Sequence, residues 1–319
     1  MAQKETPLSA ESLATYTENG DTLEPRLERY AKAKKRSFLM AQYIVNALDV
    51  KVLSDPDLQK KAIKIRKCGA WLHFKNYYTA NEYRLVDANF CKVSLLCPFC
   101  AIRRASKHLG IYYRKYLQLV EQNPSLRPYL VTFTVKNGHD LLERFNHIKG
   151  CFKAYQKQRT NSLNGDRSRV EFSKADSAVW SYEFKRGSGS GLWHPHIHAL
   201  WLCEMPPDRL KLSEEWFSIT GDSFVVDSRP VTSEGGFVEV FKYALKFSDL
   251  PLEDNIEAYR VLSGKNLLGS CGGFRGLPEP EKLTDEELDS LPFLDLFFKY
   301  LASGRYGSTD SSVKMEDFT

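Results

Sequence analysis

The sequence predicts an α+β fold in which antiparallel strands alternate with helices. Segments of alternating β-branched and aromatic residues, such as 129–135, are typical of strands. Amphipathic stretches such as 140–161 carry apolar residues at helical spacing. Two further strands, at 177–184 and Trp193–Cys203, flank a Gly-Ser turn at 186–191, and this arrangement predicts an antiparallel hairpin.

Length and composition limit the class of protein. The 319 residues suit one large domain or two smaller ones, and 42% hydrophobic residues are ordinary for a globular chain. No apolar run is long enough to cross a bilayer, and residues 2–10 contain no signal-peptide core. We therefore expect a soluble cytoplasmic protein with no membrane partner. Seven cysteines, an odd number without a secretory signal, favour metal binding over a disulfide framework.

The net charge of +5 is unevenly distributed along the chain. Residues 26–116 carry 20 Lys and Arg but only 6 Asp and Glu, whereas residues 249–319 carry 7 and 14. A strongly basic region in a nearly neutral chain is typical of a face that binds a polyanion. Solvated faces of surface helices would produce the same pattern.

These shifts in composition divide the chain into five regions. Helices are predicted at 27–46 and 58–66, and again at 283–301, where Pro292 would kink or split the helix. The regions are a disordered acidic tail (1–25), a basic helical region (26–66), a Cys-rich region with a basic helix (67–125), a region of strands and helices (126–250) and an acidic C-terminal region with a helix (251–319). The motifs described below predict zinc binding in the third region and a catalytic domain in the fourth.

Four of the cysteines form a candidate metal site: Cys68, Cys91, Cys97 and Cys100. The last two belong to a C-x-x-C motif, whose tight turn lets two thiolates reach one ion. The first two would complete a tetrahedral zinc site, and strands predicted between them at 70–78 and 82–89 suit a hairpin. We predict structural zinc here; the alternative is four buried, free thiols.

A basic helix that carries aromatic residues follows the C-x-x-C motif, at 102–116. Its cations would neutralise DNA phosphates. Its three tyrosines would either stack on unpaired bases or pack on the core. The predicted DNA contacts are Arg103, Arg104, Lys107, Arg114 and Lys115.

Three of the seven histidines, His194, His196 and His198, occupy alternating positions of one predicted strand and therefore share a face. Counting back from the turn places Glu183 opposite His196, so Glu183, His196 and His198 are candidate ligands for Mg²⁺ or Mn²⁺. A register shift of one residue would turn Glu183 away and leave His194 as the third ligand. Because Pro195 cannot donate a ladder hydrogen bond, we expect this strand to lie at a sheet edge or to be bulged there.

A helix predicted at 236–248 carries Glu239, Tyr243 and Lys246 on one stripe. A tyrosine hydroxyl can attack a phosphodiester when a divalent ion polarises a phosphate oxygen, and the product is a covalent protein–DNA link. Lys246 would position the phosphate or assist Tyr243, and Glu239 would act as general base in a second cleavage. The sequence contains no Walker-type phosphate loop, so ATP-dependent chemistry has no support.

Taken in order, these motifs resemble those of a known family. His196-Ile197-His198 resembles the His-hydrophobic-His motif of HUH endonucleases, and the run from Glu239 to Lys246 resembles the single-tyrosine motif of rolling-circle replication initiators of small plasmids. The strand at 130–134 looks like their first motif, and the Cys-rich element is similar to theirs. The resemblance implies a five-stranded antiparallel HUH sheet, ferredoxin-like or RRM-like, with helices on one side and an N-terminal helical, zinc-ribbon-like element.

The resemblance also implies an activity. The protein would nick one strand of a single-stranded or hairpin origin DNA, link Tyr243 to the 5′-phosphate and free a 3′-hydroxyl primer. Glu239 would activate water for termination, and a host helicase and DNA polymerase would be partners. Two alternatives remain open: an HUH transposase or mobilisation relaxase, and a non-catalytic zinc-dependent DNA-binding repressor with structural histidines.

Overall fold

The computed structural model describes residues 22–47, 50–165, 169–187, 189–232, 234–242, 250–288 and 290–309. Of the acidic tail predicted at 1–25, residues 1–21 lie outside the described residues. Residues 23–25 belong to the first helix. Two predicted catalytic residues, Tyr243 and Lys246, also lie outside the described residues.

Helices and strands alternate through the described residues, as the α+β prediction requires. The α-helices are α1 (Leu23–Val45), α2 (Val50–Leu53), α3 (Pro56–Lys67), α4 (Pro98–Gln122), α5 (Leu141–Leu163), α6 (Arg209–Thr220), α7 (Glu234–Phe241) and α8 (Leu252–Leu262). The strands are β1 (Trp71–Tyr77), β2 (Glu82–Ala88), β3 (Arg127–Thr134), β4 (Ala175–Arg186), β5 (Trp193–Cys203), β6 (Val226–Pro230), β7 (Leu268–Cys271), β8 (Leu294–Tyr300) and β9 (Tyr306–Thr309). None of these helices is long and apolar enough to span a membrane.

The larger sheet has five strands in the order β6-β3-β5-β4-β7, and every neighbouring pair is antiparallel. This confirms the five-stranded antiparallel sheet. The histidine strand β5 is central, so the prediction of an edge strand is wrong, and the ladder is bulged instead. Between the pairs Thr134↔His196 and Gly138↔Trp193, three residues on the β3 side stand opposite two on β5, one of which is Pro195.

Different helices cover the two faces of this sheet. On one face α5 packs, and the rings of Phe145 and Phe152 lie with centroids 6.0 and 6.4 Å from that of Tyr182. The histidines project from the other face, where α7 contacts β4 and β5. Helices therefore lie on both sides, not on one side as the resemblance implies. The histidine face needs this cover because its continuation includes the buried side chains of Leu130 and Leu200.

The smaller sheet has the order β2-β1-β8-β9, and β1 and β2 form the predicted hairpin between Cys68 and Cys91. The helix predicted at 283–301 is wrong, because its second half is strand β8. Leu296 and Phe298 alternate along β8 and stand opposite two residues of β1 that are fully buried, Phe74 and Leu72. Pairing with β1 thus overrides the loose helical spacing of the apolar residues in this segment.

A buried ion cluster joins the C-terminal segment to the first helices. Asp285 lies 2.6 Å from a guanidinium nitrogen of Arg26 on α1 and 2.7 Å from one of Arg103 on α4. Arg103 also donates a hydrogen bond of 2.9 Å to the hydroxyl of Tyr30. Burial alone would raise the pKa of Asp285, but Arg103 and Arg26 hold it well below its usual range.

Candidate active site

The hairpin of β4 and β5 carries the predicted metal-binding face. Glu183 stands directly opposite His196 in the ladder, as the symmetry of the hairpin predicts. Lys185 stands opposite His194, and Ser181 stands opposite His198. Directly opposed residues of an antiparallel pair share a face, so Glu183 and the three histidines project from the same side of the sheet.

Glu183, His198 and Glu239 bring one ligand atom each to within 4.8 Å of one another. His198 Nε2 lies 3.2 Å from Glu183 Oε2, and the Glu183 side chain is 1% exposed. Two neighbouring ligands of an octahedral ion, each bonded at about 2.1 Å, lie about 3.0 Å apart. The carboxylate and the imidazole are therefore spaced as a divalent ion requires.

Thr132 of β3 contacts the second ring nitrogen of His198. Its Oγ1 lies 3.1 Å from His198 Nδ1, and the two residues stand opposite each other in the ladder. A hydrogen bond at Nδ1 fixes the orientation of the ring and leaves Nε2 for an ion. Sequence analysis missed Thr132 in this role, because β3 and β5 are not joined by a turn from which their register can be counted.

His196 is the most enclosed of the three histidines. It is 8% exposed, and neither of its ring nitrogens has a hydrogen-bond partner among the residues that the structure describes. Burial lowers the pKa of His196 to about 3, against the opposing effect of Glu183. The imidazole is therefore neutral at pH 7, the state that binds a metal.

His194 has a different environment. Its Nδ1 is hydrogen-bonded to Oδ1 of Asn137, the residue that precedes the bridge at Gly138. Burial and then the charge of Lys185 lower its pKa. The ligand cluster in the described residues contains Glu183, His198 and Glu239 but neither His194 nor His196, so the predicted ligand set of Glu183, His196 and His198 stays a prediction.

Helix α7 places Glu239 beside the histidine face. The helix begins close to β6: a Cβ at position 236 would lie 2.6 Å from Val231 Cγ1, so Gly236 allows an approach that a side chain would prevent. Sequence analysis predicted Glu239 as a general base. The structure adds that its carboxylate lies with Glu183 and His198.

Aromatic packing fixes α7 against the basic helix α4. The ring of Phe237 lies 4.6 Å from that of Tyr116, and the ring of Phe241 lies 5.1 Å from that of Tyr112. The tyrosines of α4 therefore pack on the core, which was one of the two predictions for them. They support the helix that carries Glu239.

The four predicted zinc ligands lie together, and none of them forms a disulfide. Cys68 Sγ lies 3.5 Å from the sulfur of Cys100 and 3.6 Å from that of Cys97, and Cys91 Sγ lies 3.6 Å from that of Cys100. Thiolates bonded to a tetrahedral zinc at about 2.3 Å lie about 3.8 Å apart. The cluster therefore fits zinc.

The thiol at the start of α4 is predisposed to ionise. Burial alone would raise the pKa of Cys97, but hydrogen bonds with the other three cysteines and with Ser37 lower it well below its usual range. Zinc binds the thiolate form, which this environment favours at Cys97, whereas burial raises the pKa of Cys68 well above its usual range.

A comparison with known families identifies the family to which the chain belongs. The model of the Rep_1 family, described as replication protein, matches residues 82–291, which contain the whole five-stranded sheet and three of the four cysteines. The chain belongs to the Rep_1 family of rolling-circle plasmid replication initiators. No solved structure matches the chain.

Three curated relatives of this Rep_1 chain carry the name "Protein rep". The protein from Bacillus amyloliquefaciens is 27% identical over 283 residues, which are 82% of this chain and 74% of the relative. One from Bacillus sp is 31% identical over 163 residues, 48% of this chain and 47% of the relative. One from Lactiplantibacillus plantarum is 24% identical over 239 residues, 68% of this chain and 70% of the relative.

The prediction that Arg103 of this Rep_1 protein contacts DNA is wrong, because its side chain is fully buried and bound to Asp285. Three of the other predicted DNA contacts face acids of the C-terminal segment. Arg104 lies 2.9 Å from Glu279, Lys107 lies 3.6 Å from Asp285, and Arg114 lies 3.8 Å from Glu286. Their role in DNA binding, like that of Lys115, stays a prediction.

Tyr243 and Lys246 follow α7 in the Rep_1 chain, outside the described residues. Their predicted roles as nucleophile and phosphate-positioning residue stay predictions. The last described residue before them, Lys242, still donates a helical hydrogen bond of 3.1 Å to the carbonyl of Val238. Its Nζ lies 3.6 Å from Glu239.

Proposed function

We propose that this Rep_1 protein is an HUH-type nickase that starts rolling-circle replication by cleaving one strand of its plasmid origin. Tyr243 attacks the scissile phosphodiester, forms a 5′-phosphotyrosine link and releases a 3′-hydroxyl that primes a host DNA polymerase, with a host helicase unwinding the duplex. The observation that supports this proposal most directly is the cluster of Glu183, His198 and Glu239 on the histidine face. Glu239 lies four positions before Tyr243 in the chain.

Glu183, His196 and His198 are the proposed ligands of Mg²⁺ or Mn²⁺. Two observations support this set: the carboxylate–imidazole spacing, and the buried His196 ring nitrogens, which have no hydrogen-bond partner within the described part of the chain. A divalent ion bound there would polarise a non-bridging phosphate oxygen and offset the charge that develops during attack. Thr132 holds the His198 ring in place, and Lys246 positions the phosphate.

Glu239 is the proposed general base for the second cleavage. A water or a hydroxyl attacks the phosphotyrosine, its proton passes to the Glu239 carboxylate, and the Tyr243 oxygen is the leaving group. The position of Glu239 beside Glu183 and His198 supports this role. A water bound to Glu239 would then lie next to the phosphate that the metal ion holds. The same step with a DNA hydroxyl rejoins the strand.

The four cysteines are proposed to hold one structural zinc. Its site joins the end of α3, the β1–β2 hairpin and the start of α4, so the ion would fix α4 relative to the smaller sheet. Since α4 packs against α7, the zinc supports the active site indirectly.

Covalent adduct formation tests the nicking proposal. The protein is incubated with single-stranded DNA that carries its origin and with Mn²⁺, and the products are separated on a denaturing gel. We expect a band in which DNA migrates with the protein. Tyr243→Phe lacks the nucleophilic hydroxyl and should form no adduct.

The matched control is Tyr78→Phe, which changes an exposed tyrosine just after β1 and should leave the adduct unchanged. An undiminished adduct with Tyr243→Phe would show that another residue is the nucleophile. The absence of any adduct with verified origin DNA and both ions would contradict the nickase proposal.

A further inference from the structure

A cleft of about 450 Å³ lies between the Cys-rich element and the edge of the five-stranded sheet. Its walls come from α3, from the loop after Cys91, from the start of α4 and from the segment between α8 and β7. Each of these segments contributes one cation to the lining: Lys61, Lys92, Arg104 and Lys265. They are distant in sequence, so the fold is what brings the four charges together.

The cations in the cleft outnumber the acids that face them. Glu279 is the only acid among the described residues that line the cleft, and it lies 2.9 Å from Arg104. Lys61 is paired with Asp57, which belongs to the same helix. Lys92 is exposed, and Lys265 Nζ lies 5.4 Å from the centre of the Phe145 ring. Two positive charges therefore remain in excess.

The cleft lies close to the proposed active site. Leu268 of β7 lines the cleft and pairs with Ser181 of β4, which in turn pairs with His198 of β5. Adjacent strands are about 4.8 Å apart, so the Leu268 backbone lies about 10 Å from that of His198. The cleft therefore borders the strands that carry the proposed metal-binding cluster.

We propose that this cleft binds the phosphates of the DNA strand that enters the active site. Convergent Lys and Arg side chains neutralise a phosphodiester backbone without reading its sequence. The basic face of α4 is less suited to this role, since Glu279, Asp285 and Glu286 already face its cations. The relation to the active site rests on the proposed function, whereas the binding of phosphate rests on the charges of the cleft.

The salt dependence of DNA binding tests the cleft. The full zinc-loaded chain is titrated into a fluorescent single-stranded oligonucleotide of random sequence at several salt concentrations. Each phosphate neutralised on a single strand contributes about 0.7 to the slope of log K against log salt concentration. Lys92→Gln combined with Lys265→Gln should therefore make the slope shallower by about 1.4.

The matched control removes the same charge elsewhere. Lys153→Gln combined with Lys157→Gln changes two exposed lysines of α5 that do not line the cleft, and should leave the slope unchanged. Equal slopes for the two double variants would overturn the proposal. The charge-conserving pair Lys92→Arg and Lys265→Arg should retain the wild-type slope, and loss of the slope there would also overturn it, because the effect would then be structural.

The two proposals can fail separately. Binding of a random-sequence probe needs no cleavage. A salt slope that becomes shallower in the variant with Lys92→Gln and Lys265→Gln therefore supports the cleft proposal even if the wild type forms no tyrosine adduct. An adduct with unchanged slopes would contradict the cleft and leave the nickase proposal intact.

Discussion

His198 is held at both of its ring nitrogens, and this arrangement can be tested with a single hydroxyl. Thr132→Val keeps the shape of the side chain but removes the hydrogen bond to Nδ1. Such outer-shell changes typically weaken metal binding about 10-fold to 100-fold, so we expect the Mn²⁺ affinity to fall by about tenfold or more. Isothermal titration calorimetry measures it without DNA.

Thr160→Val is the control for this substitution, since the Thr160 hydroxyl on α5 donates a hydrogen bond to the carbonyl of Gln156 in its own helix. Its Mn²⁺ affinity should equal that of the wild type. Unchanged Mn²⁺ affinity in Thr132→Val would mean that the hydroxyl does not orient His198.

At the residue scale, the sequence was sufficient to predict contacts between residues that lie close together in the chain. The pairing of Glu183 with His196 could be counted because a short turn joins the two strands. The contact of Thr132 with His198 could not, because the register between strands far apart in sequence is decided by the packing of the whole sheet. The buried position of the Arg103 side chain was not predicted for a similar reason, because its acidic partner, Asp285, lies 182 residues away in the chain.

At the scale of elements, the Cys-rich hairpin and the start of α4 should depend on one metal ion. Cys97→Ser removes a fully buried ligand that lies within 3.6 Å of Cys68. We expect the variant to lose its zinc and to unfold at a lower temperature, because metal binding contributes directly to folding in such sites. Atomic absorption and calorimetry measure the two effects.

Cys151→Ser provides the comparison, because Cys151 is a half-buried free thiol on α5 away from the cluster. It should keep its full zinc content. A Cys97→Ser protein with wild-type zinc and an unchanged unfolding temperature would contradict the zinc site.

Elements with strong local signals were predicted, and elements that depend on distant partners were not. The alternation in β5 and the apolar stripe of α5 are visible in the sequence, and the structure places both within a few residues of the predicted ends. Strand β8 carries apolar residues that also satisfy a loose helical spacing. Its pairing with β9 and with β1, which lies more than 200 positions earlier, makes it a strand.

At the scale of the whole molecule, the buried ion cluster should determine how firmly the C-terminal segment is attached. Asp285→Asn leaves Arg26 and Arg103 buried without their shared carboxylate. Breaking a buried pair in this way typically costs about 3–5 kcal/mol, so we expect the free energy of unfolding in urea to fall by that order. Glu286→Gln, at an exposed acid 3.8 Å from Arg114, should have almost no effect.

The same cluster predicts a pH dependence. Because the folded state lowers the pKa of Asp285, its contribution to stability is fully present above the unfolded pKa of about 3.9 and is lost as pH falls through the folded value. The difference in stability between wild type and Asp285→Asn should therefore be constant from neutral pH to about pH 4 and shrink below it. A difference that grows as the pH falls below 4 would contradict the role of the ionised carboxylate.

The central claim is that Tyr243 carries the DNA. This tyrosine lies four positions after Glu239 of the proposed metal-binding cluster. Trypsin cleaves after Lys242 and after Lys246, and the peptide between these sites contains Tyr243 as its one tyrosine. Mass spectrometry of the digested adduct should find the nucleotide on this peptide, with the mass expected for a phosphotyrosine link. A nucleotide found on any other peptide would contradict the account.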